Sequence, residues 1–285
     1  MTAEKPEPGL YFVATPIGAA RDITLRALDV LAGCDVIAAE DTRNTRRLME
    51  IHGIALAGRP IVAYHDHNGD KQRPKLIAAL HEGKSVAYVS DAGTPLVADP
   101  GFDLSRAAIA EGLPVHAVPG ASAVLAALTV AGLPTDRFLF AGFPPNKSSA
   151  RKRFYQEYAQ VPATLVFYES GKRIESSLAD LAEVSGGDRK VSVCRELTKK
   201  FEQTLRGTVQ SVLEAFADGA VTKGEFVIVV GPPEKTSAGD ADIREILRDA
   251  MTELSVKEAV KQVSEQMNLP RKRVYDLALQ MKGDK

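Results

Sequence analysis

The chain has 285 residues, 45% of them hydrophobic and 26% charged, which excludes collagen-like, disordered and membrane-embedded classes and leaves an ordinary globular protein. At roughly 100 to 200 residues per domain, that length predicts two domains with room for an appendage. The balance of 36 basic against 37 acidic residues, a net charge of −1, argues against coating nucleic acid by bulk charge and leaves local basic patches open.

In chain order, residues 1–9 are acidic and proline-bearing, unlike the basic and then apolar start of a signal peptide. Short apolar runs at 10–15, 35–39, 61–64, 85–90 and 115–118 predict buried strands. Helical spacing lies between them: Leu25, Leu28 and Leu31 follow Thr24, a predicted N-cap, and Gly33 is placed to end that helix. Strand and helix alternate, which predicts a mainly parallel sheet whose ligands gather at the carboxyl ends of its strands. The most apolar stretch, 121–133, is bounded by Pro119 and Pro134 and is shorter than the roughly 20 residues of a membrane span, so it reads as a buried helix.

A second unit begins at Pro134, with strands expected at 138–141, 164–168, 190–194 and 226–230 and amphipathic stretches at 173–184 and 209–217. Residues 231–239 have linker composition. Three short helices follow at 243–254, 256–267 and 271–281; Ser255 caps the second and Pro270 suits the first position of the third. The domains expected are therefore 1–133, 134–233 and a helical appendage at 240–285. From Ser255 onward seven basic and four acidic residues leave a local charge of +3. Arg271-Lys272-Arg273, opening a helix after a turn, has the layout of a helix-turn-helix reading end, although a solvated face has the same composition.

Motifs narrow the chemistry. There is no G-x-G-x-x-G after the first strand, no phosphate-binding G-x-x-x-x-G-K-[ST] and no G-x-S-x-G, which disfavours nicotinamide oxidoreductases, nucleotide hydrolases and serine hydrolases. Cys34 and Cys194 stand 160 positions apart without a C-x-x-C or Cys/His pairing, so neither a disulfide framework nor a zinc site is expected, and a reducing, cytoplasmic setting fits. His65-Asp66-His67 lacks a third ligand and reads as a hydrogen-bonded loop; no metal is expected.

Three strand-end loops stand out: Val13-Ala14-Thr15-Pro16-Ile17-Gly18, Ser90-Asp91-Ala92-Gly93-Thr94-Pro95 and Val118-Pro119-Gly120-Ala121-Ser122. Small residues let the backbone approach a ligand, hydroxyls and amides supply donors, and Asp91 can accept from a ribose or an amine. A fourth loop, Ala39-Glu40-Asp41-Thr42-Arg43, is either a helix cap or a cleft-facing acid and arginine. Tyr168-Glu169-Ser170 and Arg195-Glu196-Leu197-Thr198-Lys199-Lys200 leave the same two readings open.

Taken together, Gly9-Leu10-Tyr11-Phe12-Val13-Ala14-Thr15-Pro16-Ile17-Gly18, Asp22-Ile23-Thr24, the Glu40-Asp41-Thr42-Arg43 loop, Ser90 to Pro95, Pro119 to Ser122, Arg195 to Glu202 and Lys223-Gly224-Glu225-Phe226 resemble the tetrapyrrole methylase superfamily. The likeness is to its branch acting on small-subunit ribosomal RNA. It implies two α/β domains with S-adenosylmethionine in the cleft between them, plus a small helical C-terminal domain. It also implies methyl transfer to the 2′-hydroxyl of a cytidine in the decoding region of that RNA, and a homodimer paired partly through the second domain. Thr15, Pro16, Asp91, Thr94, Ser122, Ala123, Tyr168 and Phe226 are the implied cofactor contacts. Ala19 stands where asparagine is usual, and Gly171-Lys172 where proline and histidine are common.

A ribose hydroxyl is a poor nucleophile and needs an acceptor within hydrogen-bond reach. Glu40, Asp41, Glu169 and Glu196 are the candidates, led by Glu40 and Asp41, with Arg43 and Lys199 to hold phosphates. Lys147, Arg151, Lys152 and Arg153, together with Arg271, Lys272 and Arg273, are expected to meet RNA. The alternatives are methylation of a corrin or porphyrin precursor and a non-catalytic RNA-binding assembly factor.

Overall fold

A computed structural model of the chain describes residues 5–65, 68–97, 101–233, 240–267 and 269–283. The chain forms two compact units, Met1–Pro232 and Pro233–Lys285.

The larger unit holds two five-stranded sheets. The first is built from β1 (Gly9–Val13), β2 (Val36–Ala39), β3 (Ile61–Ala63), β4 (Ser85–Val89) and β5 (Val115–Val118), in the order β3-β2-β4-β1-β5, every pairing parallel. Parallel pairing requires crossovers, and α1 (Leu25–Gly33), α2 (Thr42–Ile51), α3 (Gly69–His81) and α4 (Phe102–Ala110) supply them. Alternation along β1 sorts its side chains. Leu10 and Phe12 pack with Leu76 and Leu80 of α3 and Leu104 of α4, while Tyr11 and Val13 pack with Leu31 of α1 and Met49 of α2. A sheet covered on both faces explains why β1 and β4 are buried throughout, with Ser85 the one polar side chain among them. Thr24 accepts from the Ala27 amide and caps α1 as expected.

The second sheet runs β6-β7-β10-β8-β9: β6 (Phe138–Phe140), β7 (Thr164–Ser170), β8 (Lys190–Arg195), β9 (Gln203–Thr208) and β10 (Glu225–Val230). β6 pairs parallel to β7 and the remaining pairs are antiparallel. One face carries α6 (Ser148–Tyr158), α7 (Ile174–Ser185) and α8 (Val209–Ala217) over Leu165, Phe167, Val193 and Ile228. The other face is covered by α5 (Ala123–Ala131), whose Val124, Ala127 and Leu128 pack on Val166, Cys194, Val227 and Val229. The apolar 121–133 stretch is thus a buried helix, and it packs on the second sheet although it leaves the first. The first sheet with α1 to α4 is called the first lobe below, and the second sheet with α5 to α8 the second lobe.

β9 was not among the expected strands. Gln203, Thr204, Arg206 and Thr208 make it polar, as suits an edge strand paired on one side with β8.

The smaller unit contains α9 (Asp240–Glu253), α10 (Val256–Gln266) and α11 (Arg271–Gly283) around Leu247, Val260, Val263, Val274 and Leu277. Ser255 and Glu258 form a reciprocal capping box at the start of α10. Asp66 and His67 of the histidine loop, and 234–239 of the linker, lie outside the described residues. Among the described residues no helix is long and apolar enough to cross a membrane, and no group of three or more His, Cys, Asp or Glu side chains is placed to hold a metal ion.

Candidate functional site

The loops that leave β1, β4 and β5 are tied into one rim. Thr15 and Gly93 exchange both main-chain hydrogen bonds, at 3.0 and 3.1 Å, and the Thr15 hydroxyl donates to the Ser90 carbonyl at 3.2 Å. Gly93 has φ +81°, and a Cβ there would lie 3.2 Å from Ile17 Cγ2, so this turn favours glycine on two counts. Thr94 donates to the Ala121 carbonyl at 3.0 Å, which brings in the third loop, and Ser122 opens α5 as its N-cap.

The facing rim belongs to the loop between β8 and β9. Glu196 and Thr198 both lie in the left-handed region, at φ +50° and +63°, a conformation that costs a non-glycine residue on the order of 1–3 kcal/mol. What holds them is contact. Glu196 Oε1 accepts from the Glu225 amide and from Lys199 Nζ, each at 3.0 Å, and Lys199 also reaches Glu225 at 2.8 Å. This loop touches the first lobe: the Ala19 amide donates to Thr198 Oγ1 at 3.0 Å, and a Cβ on Gly18 would fall 2.5 Å from Lys199 Cγ. Position 19 therefore makes its contact through the main chain, which an alanine serves as well as an asparagine. At the other departure a Cβ on Gly171 would lie 1.9 Å from the Thr222 carbonyl oxygen, so this chain needs glycine there.

Between the rims lies a cavity of about 440 Å³. Ile17, Glu40, Asp91, Gly93 and Thr94 border it from the first lobe, Ser122 and Ala123 at the start of α5, and Phe143, Tyr168, Glu169, Cys194, Glu196, Lys199 and Phe226 from the second sheet and its loops. Of the residues expected to meet a cofactor, Asp91, Thr94, Ser122, Ala123, Tyr168 and Phe226 converge here. Thr15 and Pro16 do not. Thr15 is 2% exposed with its hydroxyl engaged, and both border a smaller cavity of about 170 Å³ beside Asn44 and Arg47, with Asp91 shared between the two spaces.

The candidate acids separate by geometry. Glu40 borders the large cavity, where one oxygen accepts the Asp91 amide at 3.0 Å; Asp91 in turn accepts the Asp41 amide at 3.1 Å. Asp41 does not border it. Its carboxylate caps α2 through the Arg43 amide at 2.8 Å and grips the Arg43 guanidinium at 2.6 Å, which holds its pKa down to about 2. The structure shows the capping arrangement for Asp41 and Arg43, and a carboxylate held this low is a poor proton acceptor. Glu169 shares a sheet face with Phe167 and turns away from Tyr168; the Arg173 guanidinium at 2.6 Å and the Ser170 amide at 2.7 Å hold it. For Glu196, burial favours the neutral acid, but hydrogen bonds from Glu225 and Lys199 outweigh it and keep the group a carboxylate. Lys199 is opposed by burial and yet raised overall by Glu225 and Glu196, so it stays an ammonium.

Two of the expected RNA contacts are engaged within the protein. Arg151 is 3% exposed: its guanidinium meets Asp180 at 2.7 Å and donates to the carbonyls of Asn146 and Ser176. Lys152 is paired with Glu183 at 2.5 Å. Lys147 and Arg153 are exposed on the same segment. In the tail Arg273 is held by Asp240 at 2.7 Å, whereas Arg271 and Lys272 are exposed. The residue most plainly missed is Phe143, whose ring meets Tyr168 edge-on at 5.3 Å over the cavity. Its signal was present: an aromatic directly after Gly142 at a strand end.

Comparison with known proteins adds a second line of observation. The family "Tetrapyrrole (Corrin/Porphyrin) Methylases" matches residues 9–213, and the "RsmI C-terminal HTH domain" matches 237–282. A protein of Mesorhizobium japonicum called ribosomal RNA small subunit methyltransferase I is 46% identical over 276 residues, covering 97% of this chain and 93% of its own. One of the same name from Erythrobacter litoralis is 46% identical over 281 residues, covering 99% and 98%. Among solved structures, uroporphyrin-III C-methyl transferase from Thermus thermophilus complexed with S-adenyl homocysteine aligns with a TM-score of 0.52 over 78% of this chain and 96% of that one. At 21% identity that likeness speaks to the fold alone.

Proposed function

This chain belongs to the tetrapyrrole methylase family, and on that premise we infer that it is an S-adenosylmethionine-dependent methyltransferase of small-subunit ribosomal RNA, working in the cytoplasm as a homodimer. The finer reading is transfer to the 2′-hydroxyl of a cytidine in the decoding region. The observation that carries the methyltransferase reading is the convergence of Asp91, Thr94, Ser122, Ala123, Tyr168 and Phe226 on one cavity.

The residues fit the cofactor. A carboxylate that can accept from hydroxyl or amine, a threonine and a serine, the Phe143–Tyr168 ring pair and a glycine turn in which a Cβ would crowd Ile17 suit a polar, partly aromatic ligand. Asp91, Thr94, Ser122 and Ala123 would hold it from one side, and Tyr168 and the main chain at Phe226, whose ring packs on Phe216, from the other. When bound, the cofactor supplies an electrophilic methyl group. The rest falls to the chain. Effective molarities of about 10⁵ to 10⁸ M come from orientation alone, and two rims joined through Ala19 and Thr198 are built to hold a fixed geometry. Glu40, Glu169 and Glu196 all border the cavity from strand ends, and of the three Glu40, after β2 on the first lobe, is the acceptor assigned to the hydroxyl proton. Lys199, kept cationic, cannot act as a base and instead steadies a phosphate or the developing oxyanion. Lys147 and Arg153 on the larger unit and, separately, Arg271 and Lys272 on the smaller one are the exposed cations offered to RNA.

Calorimetric titration with S-adenosylhomocysteine tests the cavity. One site per chain is expected, weakened in Asp91→Asn and retained in Glu40→Gln, and the latter slows single-turnover methylation of unmethylated small subunits. Absence of binding by the unaltered protein would overturn the reading, and an unchanged rate in Glu40→Gln would remove that residue from the chemistry.

A further inference from the structure

In the smaller unit, α10 and α11 enclose a shallow groove of about 570 Å³ lined by Lys257, Val260, Arg271, Lys272 and Tyr275. Three of the five are cations and none is an acid. The spacing explains how they meet: Arg271, Lys272 and Tyr275 share a face of α11, and Lys257 and Val260 stand three apart on α10. Val260 is buried in the core of the unit and forms the floor, while Lys257, Arg271 and Lys272 are exposed. Among the described residues these three cations have no ion pair, in contrast to Arg273, which Asp240 holds at 2.7 Å.

Tyr275 is the unusual member. It follows buried Val274 in the helix yet remains 46% exposed, a large aromatic ring set open beside three cations. A reading end that entered a duplex groove would call for Arg271, Lys272 and Arg273 as a continuous set, but Arg273 is tied back toward α9 and an aromatic ring takes the central place. An exposed ring flanked by unpaired cations matches the chemistry of an unpaired nucleotide, whose base stacks on the ring while its phosphates meet the ammonium and guanidinium groups.

We propose that the α10–α11 groove is a binding site for single-stranded RNA, with one unpaired base stacked on Tyr275 and the adjoining phosphates held by Lys257, Arg271 and Lys272. This rests on the reading of the chain as an RNA methyltransferase and specifies how its tail engages that RNA.

The test is fluorescence anisotropy of the full-length protein with a labelled single-stranded RNA of mixed sequence, competed by an RNA duplex of equal length. Stacking contributes about 1–3 kcal/mol per base, so Tyr275→Ala is expected to weaken binding by about 5- to 150-fold, while Tyr275→Phe, which keeps a stacking ring, stays within about twofold of the parent. Lys257→Gln, Arg271→Gln and Lys272→Gln should each flatten the dependence of log affinity on log salt by about 0.7. Cofactor titration of the same variants reports the larger unit and should be unchanged. Equal affinities for Tyr275→Ala and parent, or a duplex that competes as well as the single strand, would overturn the proposal. Failure of the parent to bind cofactor would instead strike the methyltransferase reading and leave the groove's RNA result standing.

Discussion

In the first lobe the carboxylates at the strand ends, Glu40, Asp41 and Asp91, stay near the surface and accept main-chain amides of neighbouring loops, whereas in the second lobe charge is enclosed: Arg151 with Asp180 at 4% and 7% exposed, and Glu169 fully covered against Arg173. The first lobe offers a cofactor small residues, turns and main-chain groups. The second fixes the opposite wall through charge pairs that are occupied before any ligand arrives. A rim made of backbone should therefore be sensitive to added atoms, and a rim made of ion pairs to removed charge.

The sharpest way to break this contrast is Asp180→Ala. It leaves the Arg151 guanidinium buried without its partner, and urea unfolding should show a loss of about 3–5 kcal/mol. A loss below 1 kcal/mol would mean that the second lobe does not depend on enclosed charge. Next comes Glu196→Gln, which weakens a hydrogen-bonded network holding a left-handed loop residue. Hydrogen bonds to a charged group suggest about 1.5–3 kcal/mol, together with weaker cofactor affinity because Lys199 loses a partner beside the cavity.

On the opposite rim, Gly93→Ala should cost roughly 1–2 kcal/mol through the left-handed φ, plus whatever Ile17 must yield. Thr94→Ala, which only removes atoms, should cost less. The reverse ranking would contradict the backbone account of that rim.

The smallest effect concerns pH. Asp41 is depressed to about 2 by Arg43, so its contribution is complete above the ordinary aspartate pKa of about 3.9 and disappears as pH falls from there toward 2. Melting curves of the parent and Asp41→Asn should therefore run parallel above about pH 5 and converge below about pH 4, by a small amount because the pair is exposed. Divergence at low pH would reverse the sign assigned here.

Much of this arrangement was legible in the residues. Continuous apolar runs announced β1, β2, β4 and β5, and Thr24 and Ser255 marked helix starts, because burial and capping are local demands on composition. The three small-residue loops were correctly read as lying at strand ends, and their contact with one another is what the structure adds. What escaped was pairing at a distance. Arg151 reads as a surface cation until Asp180, 29 residues away on α7, is brought against α6. Thr15 has the composition of a ligand contact, but its hydroxyl is taken by Ser90, a partner 75 residues away. Gln203–Thr208 looks like a loop because an edge strand gains its order from β8 and not from its own apolar content.

The central claim is transfer of a methyl group to a ribose hydroxyl of small-subunit ribosomal RNA. Unmethylated small subunits would be incubated with the protein and methyl-labelled S-adenosylmethionine, and the RNA then hydrolysed in alkali, which cannot cleave next to a methylated 2′-oxygen. Label is expected in a single alkali-resistant dinucleotide that begins with cytidine. Label released in a mononucleotide, with the methyl group on the base, would contradict it, as would the absence of transfer to RNA by a protein that binds the cofactor.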